Sequence, residues 1–274
     1  MKANSAIGIG VGIGCLLLSM LMEGGNPAAL ISIPALIVVV GGTFAATFAS
    51  TTVAQMKLVP ALYRKAFQGN DVDERGTIDL MVSLAEQARR EGLLALEKQL
   101  DRVEDPFLRN GVQLVVDGTD SELVRAILLS EIDGMAERHR GNVRVFATAG
   151  GFAPTLGIIG TVLGLVHVLE NLSTPSLLGH SIAGAFIATL YGVGSANLVF
   201  LPVGNKLKEL SGAELAYRDM QLEAVLSIQA GDNPRLLREK LEAFLEPARR
   251  GTDRRDPGRE AVPRLREAQE AEAA

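Results

Sequence analysis

Four stretches of this chain run for 17 residues or more without an Asp, Glu, Lys or Arg: Ala6–Met22, Ala28–Ser50, Val145–Leu169 and Ser181–Val203. No other feature constrains the fold as strongly. A helix needs roughly 20 apolar residues to cross the hydrocarbon core of a bilayer. A backbone surrounded by lipid must also satisfy its own hydrogen bonds, which a helix does within a single segment. The pattern therefore predicts an all-α integral membrane protein with four transmembrane helices. Lys2 ahead of the first stretch gives it the look of a secretion signal. Its length, and the second stretch that follows after a very short turn, predict an uncleaved helical hairpin instead. A mean hydropathy of +0.22 with 22% charged residues fits a chain divided between lipid and water.

The basic residues orient the chain. Of 27 Lys and Arg residues, Lys2 comes first, 13 lie in Gln55–Arg144 and 13 in Gly204–Ala274. The turns Glu23–Pro27 and Glu170–His180 hold none. Basic flanks stay on the cytoplasmic side, so both termini and the central segment are expected inside, with two short turns outside. The expected organisation is a membrane hairpin (1–54), a helical cytoplasmic domain (55–144), a second membrane hairpin (145–203) and a helical cytoplasmic extension (204–246). The last segment (247–274) is rich in Arg, Glu, Pro and Ala and has too little to bury to fold. The net charge of −5 argues against a nucleic-acid partner. Cys15 is the only cysteine, so no intrachain disulfide is possible. It reads as a small apolar residue facing lipid or a neighbouring helix. The sequence contains no nucleophile–base cluster, nucleotide-binding glycine loop or metal-ligand spacing, so neither an enzyme nor a bound cofactor is expected.

The aqueous segments read as helices. In "TIDLMVSLAEQARREGLLALEKQL" the residues Ile78, Met81, Leu84, Ala88, Leu93, Leu96 and Leu100 form one apolar stripe. In "TDSELVRAILLSEIDGMAERH", Thr119 stands three residues before Glu122, a capping-box pattern. Leu123, Ile127, Leu128 and Ile132 are the expected buried face there. Asn233 followed by Pro234 predicts another helix start.

The third and fourth apolar stretches each carry a face of small residues with one central threonine. Pro154, Gly157, Thr161, Gly164 and Val168 share an arc of about 80° on a helical wheel, and Ser181, Ala185, Ala188, Thr189, Gly192 and Ser195 share about 120°. Close helix packing explains small residues without further assumption, and Gly157, Gly160, Gly164, Ala185 and Gly192 are its candidates. An ion path needs more. Ions crossing a membrane normally meet an ionisable group at depth, and these spans offer none. His167 near the outer end and His180 in the outer turn read as interfacial residues rather than a proton relay. Any carboxylate on such a path must come from another polypeptide, with Thr161 and Thr189 offering uncharged hydroxyls around it. Tyr191 reads as a packing residue with a satisfied hydroxyl.

The segments "VVVGGTFAATF", "ARREGLLALE", "DPFLRNGVQLVVDGTDSELV", "GGFAPTLGIIGTVLGLVHVL", "AFIATLYGVGSANLVFLPVGNKLK" and "GDNPRLLREKLEAFL", in this order, resemble the MotA family of flagellar stator subunits, including its sodium-type PomA members. The resemblance runs to about Leu245. It implies a pentameric ring in the bacterial inner membrane around two copies of a MotB-like protein, whose single span supplies the ion-carrying aspartate. It also implies torque on the rotor protein FliG through Arg89, Arg90 and Glu97, and conformational coupling through Pro154 and Pro202. Thr161 and Thr189 match the family's hydroxyl positions at the ion site. Only the transported proton or sodium ion is implied as a cofactor, and the residues do not choose between them. Simpler readings stand beside these. Glu86 and Arg90 fit a solvated helix pair, and each proline fits a helix terminator. An ExbB- or TolQ-like energising subunit is the alternative, although such proteins usually have three spans with the large inner loop after the first.

Overall fold

The computed structural model describes residues 4–69, 72–173, 175–245 and 247. Helix is the only regular secondary structure among them. In chain order the helices are α1 (Asn4–Met22), α2 (Ile33–Ser50), α3 (Val53–Gln68), α4 (Glu74–Glu91), α5 (Pro106–Val116), α6 (Ser121–Glu170), α7 (175–229) and α8 (Pro234–Glu242). Stretches of 3-10 helix at Pro27–Leu30 and Leu93–Arg102 link some of them. π-helical turns interrupt α2 at Ile37–Gly41 and α7 at Ala196–Phe200.

α2, α6 and α7 are long and apolar enough to cross a membrane, while the apolar part of α1, Ala6–Met22, is somewhat shorter. The 50 residues of α6 extend about 75 Å at 1.5 Å per residue, far more than a ~30 Å hydrocarbon core. Its polar first half and apolar second half therefore occupy different solvents.

The second apolar stretch differs from expectation at its start. Residues 28–32 form a 3-10 turn and an extended link, and the helix begins only at Ile33. Asn26 caps the turn through the Ala28 N–H at 2.9 Å. Pro27 and Pro34 each occupy a first-turn position, where the missing N–H is tolerated. The outer turn between α6 and α7 is also shorter than expected, because α7 begins at Pro175. Residue 180 is thus part of a helix, and the side chain of His180 lies outside the described residues. Beyond Pro247, the segment expected to be unstructured lies outside them too.

By packing, the chain divides into two units: residues up to Val72 with Leu129–Ala216, and Asp73–Leu128 with the segment from Tyr217 onward. This division cuts across the boundaries drawn from hydropathy. In the first unit, Leu62, Ala66, Phe146, Val203 and Leu207 form one core. Ala35, Val39 and Ala188 form another, with Ile187 and Tyr191 against it. Tyr191 donates its hydroxyl to the Leu30 carbonyl and receives the Ser32 N–H at 3.4 Å. At the aqueous side of this unit Lys65 pairs with Glu214 at 2.9 Å, and His139 Nδ1 meets the Ser211 hydroxyl at 2.9 Å. Burial, together with the Lys65 and Arg138 charges, holds His139 below its ordinary value against the opposing pull of Glu214. α3 starts with a reciprocal cap between Thr52 and Gln55. Cys15 is exposed on α1.

In the second unit α4, α5 and α8 bury Ile78, Met81, Leu84, Leu108, Val112 and Leu237; Met220 and Val225 of α7 are buried too, and Val225 lies beside Gly111 of α5. Two expectations shift here. The helix read as continuous through residue 100 stops at Glu91, because Gly92 takes φ 87° and ψ 164°. Leu96 is still fully buried, from a 3-10 segment. At the start of α6 the cap is Asp120 rather than Thr119: its carboxylate accepts the Glu122 N–H at 2.9 Å. The Thr119 carbonyl instead receives the Gln229 side chain at 2.6 Å. Leu123 is exposed, and Val124, Leu128 and Ile132 make the buried stripe. Asn233 caps α8 through the Arg235 N–H at 2.9 Å.

Candidate functional site

The apolar halves of α6 and α7 meet along their small-residue faces. Gly157 stands against Gly192 so closely that a Cβ on Gly192 would lie 2.5 Å from the Ala153 carbonyl oxygen. A Cβ on Gly157 would lie 2.9 Å from the Ala188 carbonyl. Gly160 packs on Ala188 and Gly164 on Ala185, where added methyls would come within 2.7 and 2.6 Å of the alanine Cβ atoms. Backbone lies against backbone here, and only glycine leaves room for it. The structure thus brings Gly157, Gly160, Gly164, Ala185 and Gly192 together within one chain, so the helix that covers the glycine face of α6 is the chain's own α7.

In the middle of this seam the Thr161 and Thr189 hydroxyls are hydrogen-bonded to each other. Thr161 Oγ1 also lies 3.1 Å from the Gly157 carbonyl and 3.0 Å from that of Ala185. One hydroxyl hydrogen satisfies one acceptor at a time, so the proton positions in this cluster are interchangeable. Both threonines are only partly buried. The result is a small neutral hydrogen-bonding patch on an otherwise apolar helix pair. It can share the solvation of an ion or a protonated carboxyl brought to it, and it carries no charge of its own. His167 is exposed at the end of α6, beside Asn171 and Glu170.

Neither proline ends a helix. Pro154 lies inside α6, and Pro202 follows the π turn of α7 with Leu201 between them. In that turn the Leu201 N–H bonds to the Ala196 carbonyl, five residues back. Widening the ladder just before a residue with no N–H lets the helix continue through it. The terminator reading is thereby corrected for both.

The charged candidates lie in the second unit. Arg89 and Arg90 stand in the last turn of α4, and Glu97 lies on the 3-10 segment beyond Gly92; all three are exposed. Arg90 meets Glu86 at 3.4 Å with side chains 73% and 49% exposed, a contact that water and salt screen to little net stability. Arg89 and Glu97 have no ion-pair partner among the described residues, which leaves them available to another molecule.

The same unit holds a group that sequence reasoning missed. Arg218 Nη1 reaches both Asp105 oxygens at 2.7 and 2.6 Å and the Gln221 side chain at 2.8 Å, with Phe107 and Tyr217 rings beside the guanidinium. Asp105 also caps α5 through the Phe107 and Leu108 N–H groups at 3.0 and 3.2 Å. Burial alone would push its carboxyl up. The hydrogen bonds from Arg218 and Leu108 and the Arg218 charge outweigh that and hold it below the ordinary carboxylate value. The Asp-Pro pair marked a helix start, but a partner 113 positions away leaves no local trace.

Residues 99–220 match the MotA/TolQ/ExbB proton channel family, and residues 6–92 match the motility protein A N-terminal family. Motility protein A of Borreliella burgdorferi is 42% identical over 247 residues, spanning 90% of this chain and 95% of that protein. The structure of C. jejuni MotAB superposes with a TM-score of 0.87 at 29% identity, covering 92% of this chain and all of that one. The flagellar MotAB stator complex from Bacillus subtilis gives 0.83 at 36% identity, covering 89% and 97%. The chain belongs to the motility protein A family, within the wider class of MotA/TolQ/ExbB proton channels.

Proposed function

We propose that this chain is a flagellar motor stator subunit which, with a MotB-like partner, couples ion flow across the membrane to torque on the rotor. The observation that carries the reading is the Thr161–Thr189 patch, set in spans that hold no carboxylate. Such a patch can stabilise a charge but cannot carry one, so the ion-binding carboxylate comes from the partner's helix. The match of residues 6–92 to the motility protein A N-terminal family favours this reading over an ExbB- or TolQ-like one.

The finer assignments belong to the same proposal. Four helices span the bacterial inner membrane with both termini in the cytoplasm, in line with the placement of the basic residues. Five copies surround the partner's helices. Arg89, Arg90 and Glu97 meet FliG, where complementary charge sets register and encounter rate. Pro154 and Pro202 pass conformational change along α6 and α7. The transported species is a proton or a sodium ion.

The test replaces one hydroxyl. Thr161→Val keeps the shape and removes the hydrogen bonds, whereas Thr161→Ser keeps the hydroxyl. Torque of tethered cells, measured across sodium concentration and pH at matched levels of assembled complex, is expected to fall several-fold for Val and only slightly for Ser. Equal torque for the two variants would remove the hydroxyl from conduction.

A further inference from the structure

A cavity of about 300 Å³ lies at the base of α2, where the chain turns into α3. Its walls come from α2, α3, α6 and α7 in the first unit, and no charged side chain lines it. Val40 and Phe44 belong to its rim and are themselves exposed on the apolar surface of α2, so the mouth opens where that helix faces lipid. The remaining walls include Met56, Phe146 and Phe200.

Two features do not fit an empty packing defect. Thr43 and Thr47 line the cavity, are each 3% exposed, and have hydroxyls with no hydrogen-bond partner. A helical serine or threonine readily donates to the carbonyl four residues back. Ser50 and Thr51, at the end of the same helix, do so to Ala46 and Thr47 at 2.8 Å. Thr43 and Thr47 forgo that bond while buried, a costly arrangement that calls for a partner. Both π turns also touch the cavity, through Val40 in α2 and Phe200 in α7. π turns are rare and concentrate at functional sites.

We propose that this cavity binds the acyl chain of a membrane amphiphile, whose neutral carbonyl accepts hydrogen bonds from Thr43 and Thr47. Uncharged walls reject an ionic ligand, which would lose its hydration without compensation. The volume lies at the small end of ligand pockets, roughly 300–1,000 Å³. The apolar body of the ligand fills the aromatic part of the pocket, while the two hydroxyls meet its one polar group. A glycerolipid ester and a protonated fatty acid share this chemistry.

The experiment uses the full chain with its membrane partner, reconstituted in vesicles of phosphatidylethanolamine and phosphatidylglycerol. In one arm the phospholipid carries a diazirine in its acyl chain; in the other, a diazirine fatty acid is added. After illumination, adducts are mapped by peptide mass. Adducts are expected on peptides holding residues 40–47 and 56–63. They should fall at least fivefold in the Thr43→Val/Thr47→Val double variant and in Ala149→Leu, which fills the pocket. Labelling of the exposed α6 surface around Leu163 should stay constant. The adduct mass tells phospholipid from fatty acid, and either supports the proposal. Cavity labelling no greater than that at Leu163 and unchanged in both variants would mean surrounding lipid only, and overturn it. Cross-links from the cavity to a second copy of the chain, or a cavity without label whose threonine-to-valine variant melts higher, would overturn it equally.

Discussion

Asp105 closes two circuits with one carboxylate, the start of α5 and the Arg218 pair. The folded chain holds this group below the ordinary carboxylate value of about 3.9, so the unfolded chain takes up a proton first as pH falls. The stability it contributes is complete above about pH 4 and is lost as pH drops through the folded value. Hydrogen exchange of residues 105–116 in the purified complex should therefore accelerate in acid. Arg218→Met should expose the same peptides at neutral pH, costing about 2 kcal/mol, less than the ~3–5 kcal/mol of a wholly buried pair. Unchanged protection in that variant would reduce the pair to decoration. Gly192 is constrained by space rather than charge. In Gly192→Val the new Cβ meets a backbone oxygen that cannot rotate away, so α6 and α7 must separate. The expected loss is at least about 1–3 kcal/mol, read as a lowered melting temperature in mild detergent and depleted protein in membranes.

Gly92 shows how a single joint positions an element. Its φ and ψ lie in a region open essentially to glycine alone. The joint turns the chain from the Arg89 end of α4 into the segment bearing Glu97. Gly92→Ala should cost about 1–3 kcal/mol of local strain and disturb the spacing of those charges. Swimming should weaken while the amount of complex in the membrane holds. Glu97→Lys should have the same effect without the strain, and normal swimming by both variants would make this surface a solvated face. The elements themselves were legible to unequal degrees. Long apolar runs declared the membrane helices because lipid tolerates so few charges. The small faces of α6 and α7 were visible, but that they cover each other within one chain depends on the turn that starts at residues 171–173, which no periodicity encodes. The stripe at the start of α6 held at Leu128 and Ile132 and failed only in its first residue, where Val124 is buried in place of Leu123. Both π turns went unseen because their sequences read as ordinary apolar helix. The helix break at Gly92 stood in plain view, hidden by a stripe that happens to continue across it.

Over the whole molecule, apolar side chains cover the outward faces of α1, α2 and the second half of α6, while charges gather on the segments between 53 and 144 and beyond 204. With the α6–α7 seam already filled from within, that helix pair offers only its flanks to another molecule, and Thr161 and Thr189 remain partly open there. A ring of five copies around the partner's helices is the expected assembly, and native mass spectrometry in mild detergent should find it. A stable monomer or dimer with partner present would contradict it. The Tyr191 hydroxyl adds a constraint of a different kind. It satisfies peptide groups at Leu30 and Ser32 that precede α2 and have no helical partner, groups that lipid would not tolerate bare. The ribosome makes Leu30 long before Tyr191, 161 residues later. In the four-span arrangement proposed above, the first hairpin would therefore enter the bilayer unfinished and be sealed only when the second arrives. A chain that stops short of that tyrosine would leave these two peptide groups without the partner the finished fold gives them.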